Sequence, residues 1–153
     1  MRDVIQVCMA MLGAVGFAVW YHVRKEKLIV VTIGGALSWI VYLVVLRVCG
    51  DKALGLFIST VTVGFLAEVL ARIIKTPVTI LLVPMLIPLI PGSDLYYTTS
   101  YFLRKQMDDC VVSLESLMKS VGAIAFGIVC VTCLVQVISR VRSACHVREI
   151  ECK

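Results

Sequence analysis

Residues 77–97 read PVTILLVPMLIPLIPGSDLYY, and this stretch decides how the chain folds. It is apolar enough for lipid, yet Pro84, Pro88 and Pro91 each remove a backbone donor, and Gly92 follows at once. A proline inside a helix deletes a hydrogen bond and clashes with the preceding turn. In hydrocarbon, backbone interrupted in this way is tolerated only where protein or a water-filled cavity takes up the freed carbonyls. Short hydrophobic segments broken by Pro and Gly are also the best pointer in a sequence to a transporter's binding site. The expectation is a helix that starts at Pro77, bends or unwinds across residues 84–92, and resumes near Leu95 with Ser93 or Asp94 as its cap. The amides of the resumed helix would point into the break and suit an anionic group such as a carboxylate. A packed helix kinked by its prolines and capped by Asp94 is the simpler alternative.

The surrounding chain supports a membrane setting. Of its 153 residues, 60% are hydrophobic and 16% charged, with a mean hydropathy of +0.98. Soluble domains carry about 25% charged residues, and apolar runs of about 18 or more mark spanning helices. The reading is an all-α integral membrane protein of about five membrane helices, the fourth broken by Pro and Gly. The segments fall at 4–21, 28–46, 53–74, 77–103 (broken at 84–92) and 121–138. A basic tail follows at 139–153, and the whole of 1–153 forms one transmembrane domain. The first segment is a retained helix, because Asp3 balances Arg2 and the apolar run to Tyr21 is too long for a signal peptide.

Within the spans, small and polar residues recur at helical spacing. Ala10, Gly13, Ala14 and Ala18 make one such face, and Thr32, Gly35, Ser38 and Tyr42 a second. Ala123, Gly127 and Cys130 make a third. Small residues let helices approach closely in lipid. Gln6 is the one polar side chain of the first segment. The third segment carries Thr60, Gly64, Glu68 and Arg72 at i+4 steps, with Glu68 roughly 6 Å past its midpoint. An ionisable group at that depth usually faces the bundle interior or a water-filled cavity, which makes Glu68 a candidate proton relay and Arg72 a candidate ligand for a carboxylate. An i,i+4 ion pair with Arg72 snorkelling to the interface is the equal alternative. Residues 95–120 are amphipathic, with Leu103, Met107, Cys110, Leu114 and Leu117 on one stripe. They form either the hydrated end of one helix and the start of the next, or a helix lying at the interface.

Charge and motif content exclude several classes. The net charge of +5 is dispersed over loops and tail, without the basic and aromatic clusters of a nucleic-acid binder. Seven cysteines form no disulfide-like framework, and Cys130 with Cys133 is a CxxC within an apolar helix, lacking a haem or zinc context. His22 and His146 are far apart, and neither an H-E-x-x-H nor a G-x-S-x-G occurs, so no enzyme, catalytic residue, metal or cofactor is expected. The absence of a G-x-x-x-x-G-K-[ST] loop points away from nucleotide hydrolysis and toward an ion or proton gradient. Five spans would place nine Lys and Arg on one side, in the first loop, the turn after the third segment and the tail, and six on the other. Positive charge favours the cytoplasm, so the C-terminus is expected there.

At Ile87–Tyr96 the chain reads I-P-L-I-P-G-S-D-L-Y. This resembles the I-P-x-x-P-G-x-x-x-Y signature of the small, YjjB-like subunit of bacterial threonine/serine exporters. Ala14–Ala18, A-V-G-F-A, is similar to the opening of the same proteins, and length and segment order agree along essentially the whole chain. The resemblance implies a multi-pass protein of the bacterial cytoplasmic membrane that works with a larger YjjP-like subunit. It further implies export of threonine and serine, or in some members of a small dicarboxylate such as succinate. Pro88, Pro91, Gly92 and Tyr96 match the motif and become candidate substrate-binding residues. Ser93, Asp94, Arg72 and Glu68 are nominated on physical grounds alone. A non-transporting scaffold or regulatory subunit of a larger transporter is the alternative function, and a homo-oligomer stays open.

Overall fold

The structure is a computed structural model that describes the backbone of residues 2–151 and the side chains of residues 3–25 and 27–140. Arg142, Arg148, Lys153, Cys145, Cys152 and His146 of the expected tail lie outside the described side chains. The elements are α1 (Arg2–Trp20), α2 (Lys25–Cys49), α3 (Lys52–Ile74), α4 (Val78–Leu86), α5 (Gly92–Leu103) and α6 (Met107–Glu151). A single 3-10 turn, Ile87–Leu89, extends α4. No strand occurs among the described residues. Four of the helices, α1, α2, α3 and α6, are long and apolar enough to cross a bilayer, and the bent pair α4–α5 supplies a fifth segment.

Local chemistry sets the ends of these helices. Gly50 closes α2 at φ +70°, its N–H returning to the Leu46 carbonyl, a conformation that costs glycine little. Asp51 then caps α3 by accepting a hydrogen bond from the Ala53 N–H at 2.9 Å. Lys75 takes a left-handed conformation to end α3, and Lys27 reaches across from the start of α2 to donate to the Thr76 hydroxyl. One end of the bundle is therefore tied between the first loop and the α3–α4 turn.

The broken segment sits at the centre. Leu81, Pro84, Met85 and Leu89 are fully buried, with α1, α2 and α3 packed around them. Small residues make room for this insertion. A Cβ on Gly34 would lie 2.5 Å from the Met85 sulfur, and one on Gly35 would lie 2.6 Å from the Ala14 Cβ. Ala14 and Ala18 of α1, with Ala67 and Ala71 of α3, line the same core. Gly13, by contrast, meets nothing within 4 Å and faces outward, so only part of the expected α1 face is used within the chain. The Thr60–Gly64 part of the α3 stripe packs on α6, where Gly64 adjoins Val131 and Gly127 adjoins Thr60.

Residues 95–120 take the first of the two expected forms, the end of one helix and the start of the next, but that next helix runs on into the last span without a break. Residues 107–138 do not split into an interfacial stretch and a separate span, because α6 is continuous from Met107. Its 45 residues make a rod of about 67 Å, over twice the ~30 Å hydrocarbon core. The amphipathic stretch is thus an antiparallel hairpin of α5 and the start of α6, turning at Arg104–Gln106. Cys110 and Leu117 of the predicted stripe are buried, whereas Leu103, Met107 and Leu114 are exposed.

Candidate functional site

The helix breaks where the prolines require it. Pro84 is accommodated inside α4, the chain tightens to a 3-10 turn at Pro88, and regular structure ends at Ile90. Pro91, at φ −76° and ψ 64°, is the centre of an inverse γ-turn whose Gly92 N–H returns to the Ile90 carbonyl at 2.7 Å. α5 leaves this turn bent 58° from α4. Pro91 is buried and Gly92 and Ser93 are exposed. The resumed helix starts at Gly92, three residues earlier than expected, with Pro91 in the cap position and no side-chain cap. Neither Ser93 nor Asp94 is the cap, because the γ-turn already places the chain in helical register by Gly92.

Asp94 instead reaches across the bundle. Its Oδ2 accepts from the Lys52 ammonium at 2.6 Å and from the Ser116 and Ser120 hydroxyls at 3.3 Å each. The carboxylate is 13% exposed and the lysine side chain 37%. Three side chains, one from the start of α3 and two from α6, thus converge on one oxygen of α5 beside the break. As an acidic residue in the first turn, Asp94 also complements the amino end of α5. Tyr42, packed against Leu89 and Leu56, lies near enough to feel the charge of Asp94. Tyr96, in contrast, is 67% exposed, and its ring packs edge-on to Tyr97.

Glu68 and Arg72 lie at the other end of α3. They form an i,i+4 pair at 3.7 Å, with Arg72 half-exposed, and line a small groove with Phe65, Val69, Val135 and Ile138 between α3 and α6. Twenty positions separate Lys52 from Arg72, about 30 Å of helix. The structure therefore does not assemble Arg72 with the break, and the cation found there is Lys52. α4 with its 3-10 turn runs antiparallel to α3, from Thr76 beside Lys27 to Leu89 beside Leu56.

Sequence reasoning did not connect Lys52, Ser116 and Ser120 with Asp94, because 42, 22 and 26 positions separate them. Nor did it single out the groove beside Pro88. That cavity, of about 260 Å³, is lined by Gln6, Met9 and Ala10 of α1, Trp39 of α2, and Pro88. The Trp39 indole Nε1 is buried and has no hydrogen-bond partner. The signal available was a lone glutamine in an apolar span and a tryptophan well inside its helix, away from an interfacial belt. Among the described residues, no group of His, Cys, Asp and Glu is arranged to hold a metal ion.

Comparison with known proteins adds one finding. A family model described as "Threonine/Serine exporter, ThrE" matches residues 6–134, which include Lys52, Glu68, Arg72, Asp94, Ser116 and Ser120. No curated protein and no solved structure matches the chain.

Proposed function

The chain belongs to the threonine/serine exporter family, and on that premise we propose that it is the small subunit of a two-component secondary exporter. It moves an α-amino acid, threonine or serine, out across the bacterial cytoplasmic membrane together with a larger YjjP-like subunit. The Lys52–Asp94 pair carries this reading. Its two opposite charges, 2.6 Å apart beside the helix break, match those of a zwitterion. When the pair opens, the substrate ammonium replaces Lys52 on Asp94 and the substrate carboxylate replaces Asp94 on Lys52. A dianion such as succinate would gain one partner and meet one repulsion, so the pair favours an amino acid over a dicarboxylate.

Pro88, Pro91, Gly92, Ser93 and Tyr96 shape the exit of the path by setting the turn from which α5 swings. Arg72 and Glu68 stand at the opposite mouth, so the substrate meets them before the break, never both at once. Glu68 serves there as the proton relay that couples export to a gradient. On this reading the loop at Arg24–Lys27, the α3–α4 turn and the C-terminus lie on the cytoplasmic side, which the excess of Lys and Arg favours.

The test is flux of labelled threonine, serine and succinate into inside-out vesicles carrying this chain, the larger subunit, or both. Saturable threonine and serine flux is expected only with both, and is lost in Pro91→Ala while the complex still assembles. Full flux from the larger subunit alone would reduce this chain to a scaffold.

A further inference from the structure

We infer that the outward face of α6 is the seam of a homodimer, in which a second copy of the chain lays its own α6 alongside in parallel. The depth of each part of this face follows from its neighbours. α3, with 23 residues, is about 34 Å long and matches the ~30 Å hydrocarbon core. Lys52 at its start is bonded to Asp94, and Asp94 to Ser120, so Ser120 of α6 lies at that edge of the bilayer. From there α6 runs along α3, with Gly127 beside Thr60, Val131 beside Gly64, and Val135 bordering the groove of Glu68. Residues 107–119, with α5 against them, therefore reach about 20 Å out of the hydrocarbon.

On this projecting part, Met107, Val111, Leu114 and Met118 recur at steps of four, three and four, and all are exposed. At 3.6 residues per turn the same stripe continues through Gly122, Ala125, Val129 and Gln136, which are exposed as well. A Cβ on Gly122 would meet nothing within 4 Å. The polarity of this face is inverted for a free surface. It is apolar where water lies, and it turns to glycine, alanine and a carboxamide where lipid lies. Gln136 follows Val135, level with Val69 and so about 7 Å short of the end of α3. Its side chain has no hydrogen-bond partner among the described residues, whereas the Thr132 hydroxyl is satisfied by the Ile128 carbonyl. A carboxamide in hydrocarbon is costly until it is bonded.

Water suits the inner half of this face and lipid the outer half, each the wrong way round; another helix suits all of it. Apolar residues at three- and four-residue steps interdigitate with a like helix, and small residues let backbones approach closely in lipid. Insertion decides in favour of a second copy. Two copies inserted the same way are related by a two-fold axis along the membrane normal, which sets α6 beside α6, parallel and in register. Each residue of the stripe then faces itself. Gln136 meets Gln136, and a carboxamide both donates and accepts, so it satisfies its own kind. Asp108 and Glu115 flank the stripe, and Glu115 already carries Lys119 as its counter-charge at 2.6 Å, so no like charges are forced together. The seam stands on depth and polarity, and it holds whatever solute the protein moves.

Disulfide trapping of the full-length chain in membranes reads the face directly, with and without the larger subunit. The seven cysteines are replaced by serine, and one is returned at a time. Val111→Cys, Leu114→Cys, Met118→Cys and Ala125→Cys are each expected to give a crosslinked dimer on mild oxidation, since a disulfide needs Cβ atoms about 4 Å apart. Val112→Cys and Leu134→Cys, exposed on other sides of α6, are expected to give at least tenfold less. The unmodified chain in detergent micelles is expected to show twice the chain mass by light scattering. Gln136→Leu is expected to weaken that dimer about three- to tenfold, and Gln136→Asn to restore most of it. Crosslinking that ignores the face, a chain monomeric at every protein-to-detergent ratio, or a dimer indifferent to Gln136→Leu overturns the seam. So do crosslinks that form only without the larger subunit, because that subunit would then own the face.

Discussion

Replacing Asp94 by alanine tests whether the helix break is held by one carboxylate. The Lys52–Asp94 pair lies between two regimes, with the acid 13% and the lysine 37% exposed. Surface ion pairs contribute about 0–1 kcal/mol, and removing one partner of a buried pair costs about 3–5 kcal/mol. An intermediate value of about 2 kcal/mol suits a half-wet lysine, and the two 3.3 Å hydroxyl contacts add about 0.5 kcal/mol each. Asp94→Ala should then destabilise the chain by roughly 3 kcal/mol, and Lys52→Met by less, because Asp94 keeps its serines. The double variant should reveal a coupling of about 2 kcal/mol. Denaturant unfolding in mixed micelles measures all four species. Hydrogen exchange should show the α5 amides exposed by Asp94→Ala, while those in the middle of α3 stay protected. Strict additivity of the two substitutions, or an α5 no less protected than before, would refute the claim that this pair pins α5 to the bundle.

Other substitutions probe separate parts of the argument. Gly35→Leu would drive a side chain into Ala14, whose Cβ is already 2.6 Å from the position of the first added atom. It should lower stability by about 1–3 kcal/mol, whereas Gly16→Leu, with nothing within 4 Å, should be tolerated in thermal unfolding of the isolated chain. The Glu68–Arg72 pair is long and its arginine half-exposed, so Glu68→Gln should change stability by no more than about 0.5 kcal/mol. A fall in flux of tenfold or more would then mark Glu68 as a working group, and unchanged flux would leave it a structural pair. Asp94→Asn should shift selectivity from threonine toward succinate in the vesicle assay, and an unaltered ratio would remove the charge-matching argument. With the other cysteines replaced by serine, an impermeant maleimide should label Cys49 from outside intact cells, and a Lys75→Cys chain only after the cells are opened.

The four long apolar helices were legible because lipid demands a continuous hydrophobic run, and composition alone reports that. The break was legible too, since Pro84, Pro88 and Pro91 act through local backbone chemistry that needs no partner. The hairpin was harder to read. Asp108, Asp109, Glu115 and Lys119 made residues 107–120 look like a boundary, although helical propensity runs through them unbroken and α5 packs beside them at Cys110. The partners of Asp94 were beyond reach for a different reason. A charge in the first turn of a helix reads as a cap from sequence, and only the 58° bend swings it toward Lys52. Gln6 was visible as a lone polar residue, but its company, Trp39 and Pro88, comes from packing three segments against one another.

The continuity of α6 has a mechanical consequence. Residues 107–119 stand beyond Ser120, where Asp94 fastens the helix to its surroundings, and residues 121–140 run along α3 to the far end. A straight rod held at Ser120 is a lever with arms of about 20 Å and 30 Å. Tilting it by about 10° would carry the hairpin tip about 3 Å one way and the far end about 5 Å the other. Val135 and Ile138 ride on that far arm and form one wall of the groove holding Glu68 and Arg72. A push on the tip at Arg104–Met107 would therefore shift that groove wall through a single long helix, with its fulcrum beside the helix break.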